Sequence, residues 1–257
     1  MRKLIDSHIH FDMYGKTEQI EMLLDFHVHN IEAIISVSNH LQSAKRNLML
    51  VKEDPRIRAA FGYHPEQRLP TDNEVRDLLD FIEKNQQYMI AVGEVGLPYY
   101  LRKKHPEINL QGYIEVLEQF IQQAVILNKP IVLHAVYEDA PIVCSLLEKY
   151  NVKQAHFHWF KGDQRTIERM KQNNCYISVT PDVVYKKKIQ QLVKIYPIGQ
   201  LMVETDGPWS FEKEFEGHRT HPKMLHQSIA VIAALKHIPL DQVYQKIYEN
   251  TCRFYGL

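Results

Sequence analysis

Eight times along this chain a short apolar run gives way to a longer amphipathic stretch, and few folds accommodate that rhythm. The runs are Lys3–Ser7, Ala33–Ser38, Ile57–Gly62, Met89–Gly93, Pro130–His134, Ala155–His158, Cys175–Thr180 and Gln200–Glu204. Between them lie helical patterns. Glu18–His27 carries Ile20, Leu23 and Leu24, continued by Val28, at helical spacing, and Thr71-Asp72 with Glu74 forms a capped start ahead of Val75, Leu78, Leu79 and Ile82. Glu107–Asn128 is long and ends at Pro130, and Ala140–Tyr150, Gln164–Asn173, Val183–Tyr196, His221–His237 and Leu240–Phe254 complete the set. Strand-helix alternation throughout argues for an α/β protein with a parallel sheet covered on both faces, and eight steps argue for closure into a (β/α)8 TIM barrel. The length of 257 residues is near the roughly 250 typical of one such barrel, so a single domain over residues 1–257 is expected. A doubly wound open sheet is the alternative, but no glycine-rich dinucleotide turn follows the first run.

Charge and cysteine content narrow the setting. Lys+Arg and Asp+Glu both number 31, so net charge supplies no steering toward nucleic acid or an anionic membrane, and any phosphate recognition must be local. The three cysteines, Cys144, Cys175 and Cys252, are widely spaced, which suits a reducing cytosol better than a disulfide framework. Met1-Arg2-Lys3-Leu4-Ile5 meets Asp6 too soon to hold an apolar signal core, and no run approaches the ~18 apolar residues that span a bilayer. A cytoplasmic enzyme without membrane attachment is the expectation.

The chemistry gathers where the runs end. In Asp6-Ser7-His8-Ile9-His10 the two histidines are two residues apart and face the same way on a strand, a ready pair of metal ligands. The spacing alone is weak, since His27/His29 and His156/His158 repeat it. Its company strengthens it. Glu94, His134, His158 and Asp206 each stand at the end of a later run, and His64 lies two residues past the third. Active sites of such barrels lie at the C-terminal ends of the strands. Four imidazoles and two carboxylates at one mouth are too many for one tetrahedral ion and suit two. The mixture leaves zinc, manganese and magnesium open, and the imidazoles lean toward zinc or manganese.

Those residues also carry a family resemblance. Asp6-x-His8-x-His10, Gly62-Tyr63-His64-Pro65, Val92-Gly93-Glu94-Val95-Gly96-Leu97, Pro130-x-x-x-His134, His158-x-Phe160-x-Gly162, Glu204-Thr205-Asp206-x-Pro208 and Asn250-x-x-x-Phe254 together resemble the TatD family of metal-dependent deoxyribonucleases. The resemblance implies a metal-dependent hydrolase on a TIM barrel, within the amidohydrolase-like superfamily. It places His8 and His10 on a first metal, His134 and His158 on a second, and Glu94 between them. Asp206 completes the first site and takes a proton from the attacking water, and His64 contacts a substrate phosphate. The chain departs from the family pattern in having Pro98 where an Asp is usual, no Arg close after His134, and Trp159 and Lys161 after His158. The metal set is intact and the substrate-facing set is altered.

Beside the metal set, Lys161 and Trp159 are candidates to meet substrate, with Tyr99, Tyr100 and Trp209 as further aromatics at the mouth. Arg102-Lys103-Lys104 reads as a solvated loop and Lys186-Lys187-Lys188 as a wet helix face. His156 reads as a core histidine, and His218 and His221 as candidates to approach the mouth. The leading functional reading is a phosphodiesterase acting on DNA. A hydrolase of a small ester, lactone or amide and a non-catalytic metal-bound module stand as alternatives.

Overall fold

Eight parallel strands, hydrogen-bonded in chain order, wrap into a barrel in the computed structural model, which describes residues 2–257. They are β1 (Leu4–Ile9), β2 (Ile31–Val37), β3 (Ile57–Phe61), β4 (Met89–Gly96), β5 (Ile131–His134), β6 (Ala155–Phe157), β7 (Tyr176–Val179) and β8 (Leu201–Val203). β8 returns beside β1, where the Ser7 hydroxyl donates to the Val203 carbonyl at 2.9 Å. Just beyond, Asp206 N–H donates to the His8 carbonyl (2.9 Å) and His10 N–H to the Gly207 carbonyl (2.7 Å). Helices α1 (Lys16–Asp25), α2 (Leu41–Glu53), α3 (Asp72–Lys84), α4 (Tyr99–Lys104), α5 (Leu110–Ile126), α6 (Asp139–Lys149), α7 (Gln164–Gln172), α8 (Lys187–Ile195), α9 (Leu225–Lys236) and α10 (Leu240–Tyr255) surround it. Among the described residues no helix is long and apolar enough to cross a membrane. The TIM barrel read from the sequence is the fold found.

The strands form where expected because nearly all of their residues are buried on both faces, so most are largely apolar; β1 is the exception, burying Asp6, Ser7 and His8 among Leu4, Ile5 and Ile9. Inside the barrel Ile5, Ile35, Ala60, Val132 and Met202 pack together, and α10 closes the floor with Phe254 and Tyr255. β4 runs three residues beyond its expected end at Gly93, so Glu94 lies within the strand. Val95 and Gly96 still pair with Leu133 and His134 of β5. The approach there is close enough that a Cβ on Gly96 would fall 1.9 Å from the His134 carbonyl oxygen.

Several helices differ from the sequence expectation. α2 was not anticipated, because its buried face is Ser43, Ala44, Asn47 and Leu50, mostly small or polar. Asn47 accepts the Ser36 hydroxyl at 2.6 Å and donates to the Val37 carbonyl at 3.2 Å, so hydrogen bonds replace apolar packing. Along α1 and the turn after it, Ile20, Leu24 and Val28 point to solvent, and Met22 and Phe26 form the inward face. The continuous helix expected over Val183–Tyr196 is interrupted. A 3-10 turn (Pro181–Val184) precedes α8, and Lys186 between them reaches back to Asp182 at 3.1 Å. Arg102-Lys103-Lys104 is helical, and Arg102 pairs with the buried Asp139.

Candidate metal centre

The C-terminal strand ends bring His8, His10, Glu94, His134, His158 and Asp206 to one place. Glu94 is fully buried at the centre. Its Oε2 lies 3.2 Å from His8 Nε2 and 3.3 Å from His10 Nε2. Asp206 Oδ1 faces the same two nitrogens at 3.4 and 3.5 Å. The other Glu94 oxygen, Oε1, lies 3.1 Å from His134 Nδ1 and 2.6 Å from His158 Nε2, and those nitrogens are 3.0 Å apart. His64 Nε2 is 3.4 Å from the same oxygen. Asp206 and Trp159 reach their places with left-handed backbone, φ 51° and 38°. Asp tolerates that region; Trp159 is held there by its N–H on Glu204 (2.6 Å) and its indole N–H on Asp182 (3.0 Å).

This cluster has the donor set and the unmet valence of a cation site. Both nitrogens of His8, Nδ1 of His10, Nδ1 of His158 and Oε2 of Glu94 are buried without a hydrogen-bond partner. Polar atoms so placed are ordinarily satisfied, and a metal ion would satisfy the ligating ones. Burial opposes charge on Glu94, but the imidazoles around it, His158 foremost, outweigh it and hold the carboxyl well below its usual range. Burial is likewise overcome at Asp206, which His10 and His8 keep ionised. Burial lowers the affinity of His10 for its proton, yet Asp206 and Glu94 raise it to about 10. Two buried carboxylates among imidazoles therefore demand a cation, whether proton or metal.

Two carboxylates that sequence reasoning passed over support the histidines from outside. Glu66 Oε1 lies 3.1 Å from His134 Nε2. Glu204 Oε1 lies 3.6 Å from His158 Nδ1, and Glu204 Oε2 accepts the Ser178 hydroxyl. Below them His156 is a core histidine as expected. Its Nε2 meets Ser178 Oγ at 2.6 Å and its Nδ1 the Tyr255 hydroxyl at 2.9 Å. Burial keeps His156 neutral, and because the Ser178 hydroxyl donates to Glu204 it accepts from His156 Nε2–H, leaving Nδ1 to accept from Tyr255. A chain of hydrogen bonds thus runs from α10 on the barrel floor to Glu204 beneath the cluster. The available signals were local: Glu204 precedes Asp206 by two residues on the same strand end, and Glu66 follows His64 by two.

At the mouth, Lys161 Nζ sits 4.1 Å from the Trp159 ring centroid and 3.2 Å from the Tyr100 hydroxyl. Trp209 meets Trp159 edge-on at 5.7 Å and is largely exposed. His218 and His221 do not approach the mouth. They line a cavity beside α1, where His221 Nε2 is 3.7 Å from Asp25.

Similarity to known proteins spans nearly the whole chain. The family model described as TatD related DNase matches residues 5–256. An uncharacterized metal-dependent hydrolase of Haemophilus influenzae is 37% identical over 99% of this chain and all of its own length. The human deoxyribonuclease TATDN3 is 25% identical, covering 98% of this chain and 94% of that protein. The crystal structure of YjjV, a TatD homologue from Escherichia coli K12, superposes with a TM-score of 0.90 at 23% identity, covering both chains in full. With its barrel, its ligand order and a family match across nearly its whole length, this chain belongs to the TatD family of metal-dependent hydrolases.

Proposed function

We propose that this protein is a two-metal phosphodiesterase acting on DNA, with residues 1–257 working as one barrel domain in the cytoplasm. The observation that carries the reading is the Glu94 carboxylate, whose two oxygens face two separate donor sets. His8, His10, Glu94 Oε2 and Asp206 form the first. Their contacts of 3.2–3.5 Å match the roughly 3.3 Å edge of a tetrahedron with metal–ligand bonds of about 2.0–2.1 Å. His134, His158 and Glu94 Oε1 form the second, and would supply three ligands to an ion there. Zinc, manganese and magnesium are the candidate ions, with zinc or manganese favoured by four imidazoles. When bound, such ions lower the pKa of water toward ~7 and hold the attacking and leaving oxygens of an in-line phosphoryl displacement.

The chain's own residues divide the remaining work. The Asp206 side chain is 11% exposed whereas Glu94 is completely enclosed, so Asp206 is the carboxylate that can reach the attacking water and accept its proton. Glu94 then acts by bridging. His64 accepts the Glu66 N–H on Nδ1 at 3.1 Å, which leaves the proton on Nε2. Burial holds His64 neutral, with a pKa of about 3. Its Nε2–H faces the cluster as a donor, suited to a substrate phosphate oxygen and unsuited to a metal. Lys161 supplies a positive charge beside Trp159, whose ring offers a surface to a base. The name of the human relative supports DNA as the substrate.

One observation favours a small phosphate ester or lactone as a second reading. Of the cations after β4, β6 and β7, Arg102 is paired with Asp139, Lys186 with Asp182, and Lys103 lies over Tyr99. Lys161 and the exposed Lys104 are left to meet an anion, which is little for a long backbone. The test is hydrolysis of single-stranded DNA by metal-stripped protein resupplied with magnesium, manganese or zinc, beside Glu94→Ala. Metal-restored nucleotide release that the variant lacks supports the nuclease. Metal binding without DNA cleavage moves the substrate to small esters and lactones, and binding without turnover on any of these leaves a non-catalytic module.

A further inference from the structure

We propose that Glu66 is a positioning residue that assigns opposite roles to two neighbouring imidazoles, making His134 a metal ligand and His64 a hydrogen-bond donor. The inference rests on the two-ion reading of the cluster. His134 differs from His8, His10 and His158 in the nitrogen it presents. It offers Nδ1 to Glu94, whereas the other three offer Nε2. A neutral imidazole keeps one proton, so His134 can ligate through Nδ1 only while Nε2 carries it. Glu66 Oε1, 3.1 Å from His134 Nε2, is the acceptor that stabilises that tautomer. Carboxylate–histidine pairs of this kind orient ligands and raise their basicity.

The same residue fixes His64 in the opposite sense. The Glu66 backbone N–H donates to His64 Nδ1 at 3.1 Å, so the proton of His64 is on Nε2, the nitrogen facing the cluster. The rings of His64 and His134 have centroids 5.1 Å apart, and both approach Glu94 Oε1. The backbone N–H fixes His64 whatever the side chain at position 66, whereas His134 depends on the Glu66 carboxylate for its acceptor.

Glu66 is itself tightly held. Oε1 accepts the Tyr100 N–H at 2.8 Å and Oε2 accepts the Leu101 N–H at 2.6 Å, both from the first turn of α4. Tyr100 in turn meets Lys161 through its hydroxyl. The orientation of His134 is thereby tied to the helix that shapes the substrate side of the mouth.

Zinc titration of metal-stripped protein, read by calorimetry and by bound-metal analysis, tests the proposal without an activity assay. Wild type is expected to take up two ions. Glu66→Ala is expected to weaken one of them about 10- to 100-fold and leave the other unchanged, with Glu66→Gln intermediate because its amide oxygen still accepts. The backbone N–H to His64 persists in both variants. A complementary reading is the His134 Nε2–H proton resonance of zinc-loaded protein, present in wild type and lost in Glu66→Ala. Two ions of unaltered affinity in both variants overturn the proposal. So does equal loosening of both ions with a lowered Tm, which marks a general effect on the fold. A single ion in wild type instead refutes the two-ion reading, and the role of Glu66 is then decided by the resonance alone.

Discussion

Stripping the metal should make the stability of this protein fall as pH rises, and the cluster geometry sets the size of the effect. In the metal-free protein His10 lies within 3.3 Å of Glu94 and 3.5 Å of Asp206, which hold its proton up to about 10 against the effect of burial. In the unfolded chain a histidine titrates near 6.5. The folded value is the higher one, so the contribution is fully present below pH ~6.5 and is lost as pH rises through ~10. Each pH unit in that window carries about 1.4 kcal/mol, so moving from pH 6.5 to 9 should remove about 3 kcal/mol from this group alone. In the loaded protein His10 binds as a neutral ligand, and the dependence should disappear. Urea unfolding of stripped and zinc-loaded protein at pH 6.5, 7.5 and 9 measures both. A stripped protein whose stability changes by less than about 1 kcal/mol over that range, or a loaded protein with the same slope, would refute the claim that protons stand in for the cation.

Three further outcomes follow from particular contacts. Gly96→Ala drives a methyl group into the His134 carbonyl oxygen, so it should cost about 3 kcal/mol or more in chemical denaturation and weaken metal binding with it. Asn47→Ala leaves the buried Ser36 hydroxyl and Val37 carbonyl without their shared partner, and about 1–3 kcal/mol of stability should go with it, with Tm as the readout. Lys161→Met should lower kcat/KM on an anionic substrate about 10- to 100-fold. Burial of Lys161 beside Trp159 and Tyr100 lowers its pKa to about 8, so wild-type kcat/KM should decline above that pH and Lys161→Arg should flatten the decline.

The strands were legible because parallel strands enclosed on both faces leave continuous apolar runs, and the six ligand candidates were legible because each ends such a run. What was hidden depends on contacts between distant segments. α2 buries Ser43 and Asn47, so its inward face carries no apolar stripe; α1 carries one, at Ile20, Leu24 and Val28, that faces water. Glu66 gains its meaning only from His134, 68 residues away, and Glu204 from the fold that sets it beneath His158. Charge runs misled for the same reason: Arg102 and Lys186 find buried carboxylates that no local pattern discloses.

The hydrogen-bond chain from α10 has a consequence for how the enzyme is made. The Tyr255 hydroxyl lies 2.9 Å from His156 Nδ1 and 3.2 Å from the Ser7 carbonyl, which is 248 residues earlier and next to His8. At about 5–20 residues per second, roughly 10–50 s separate the synthesis of those two ends. Throughout that interval His8 and His10 are present on the ribosome without the floor that completes their surroundings. An immature chain offers imidazoles but no finished cage, so for an ion held at the proposed site selection would fall to the completed barrel.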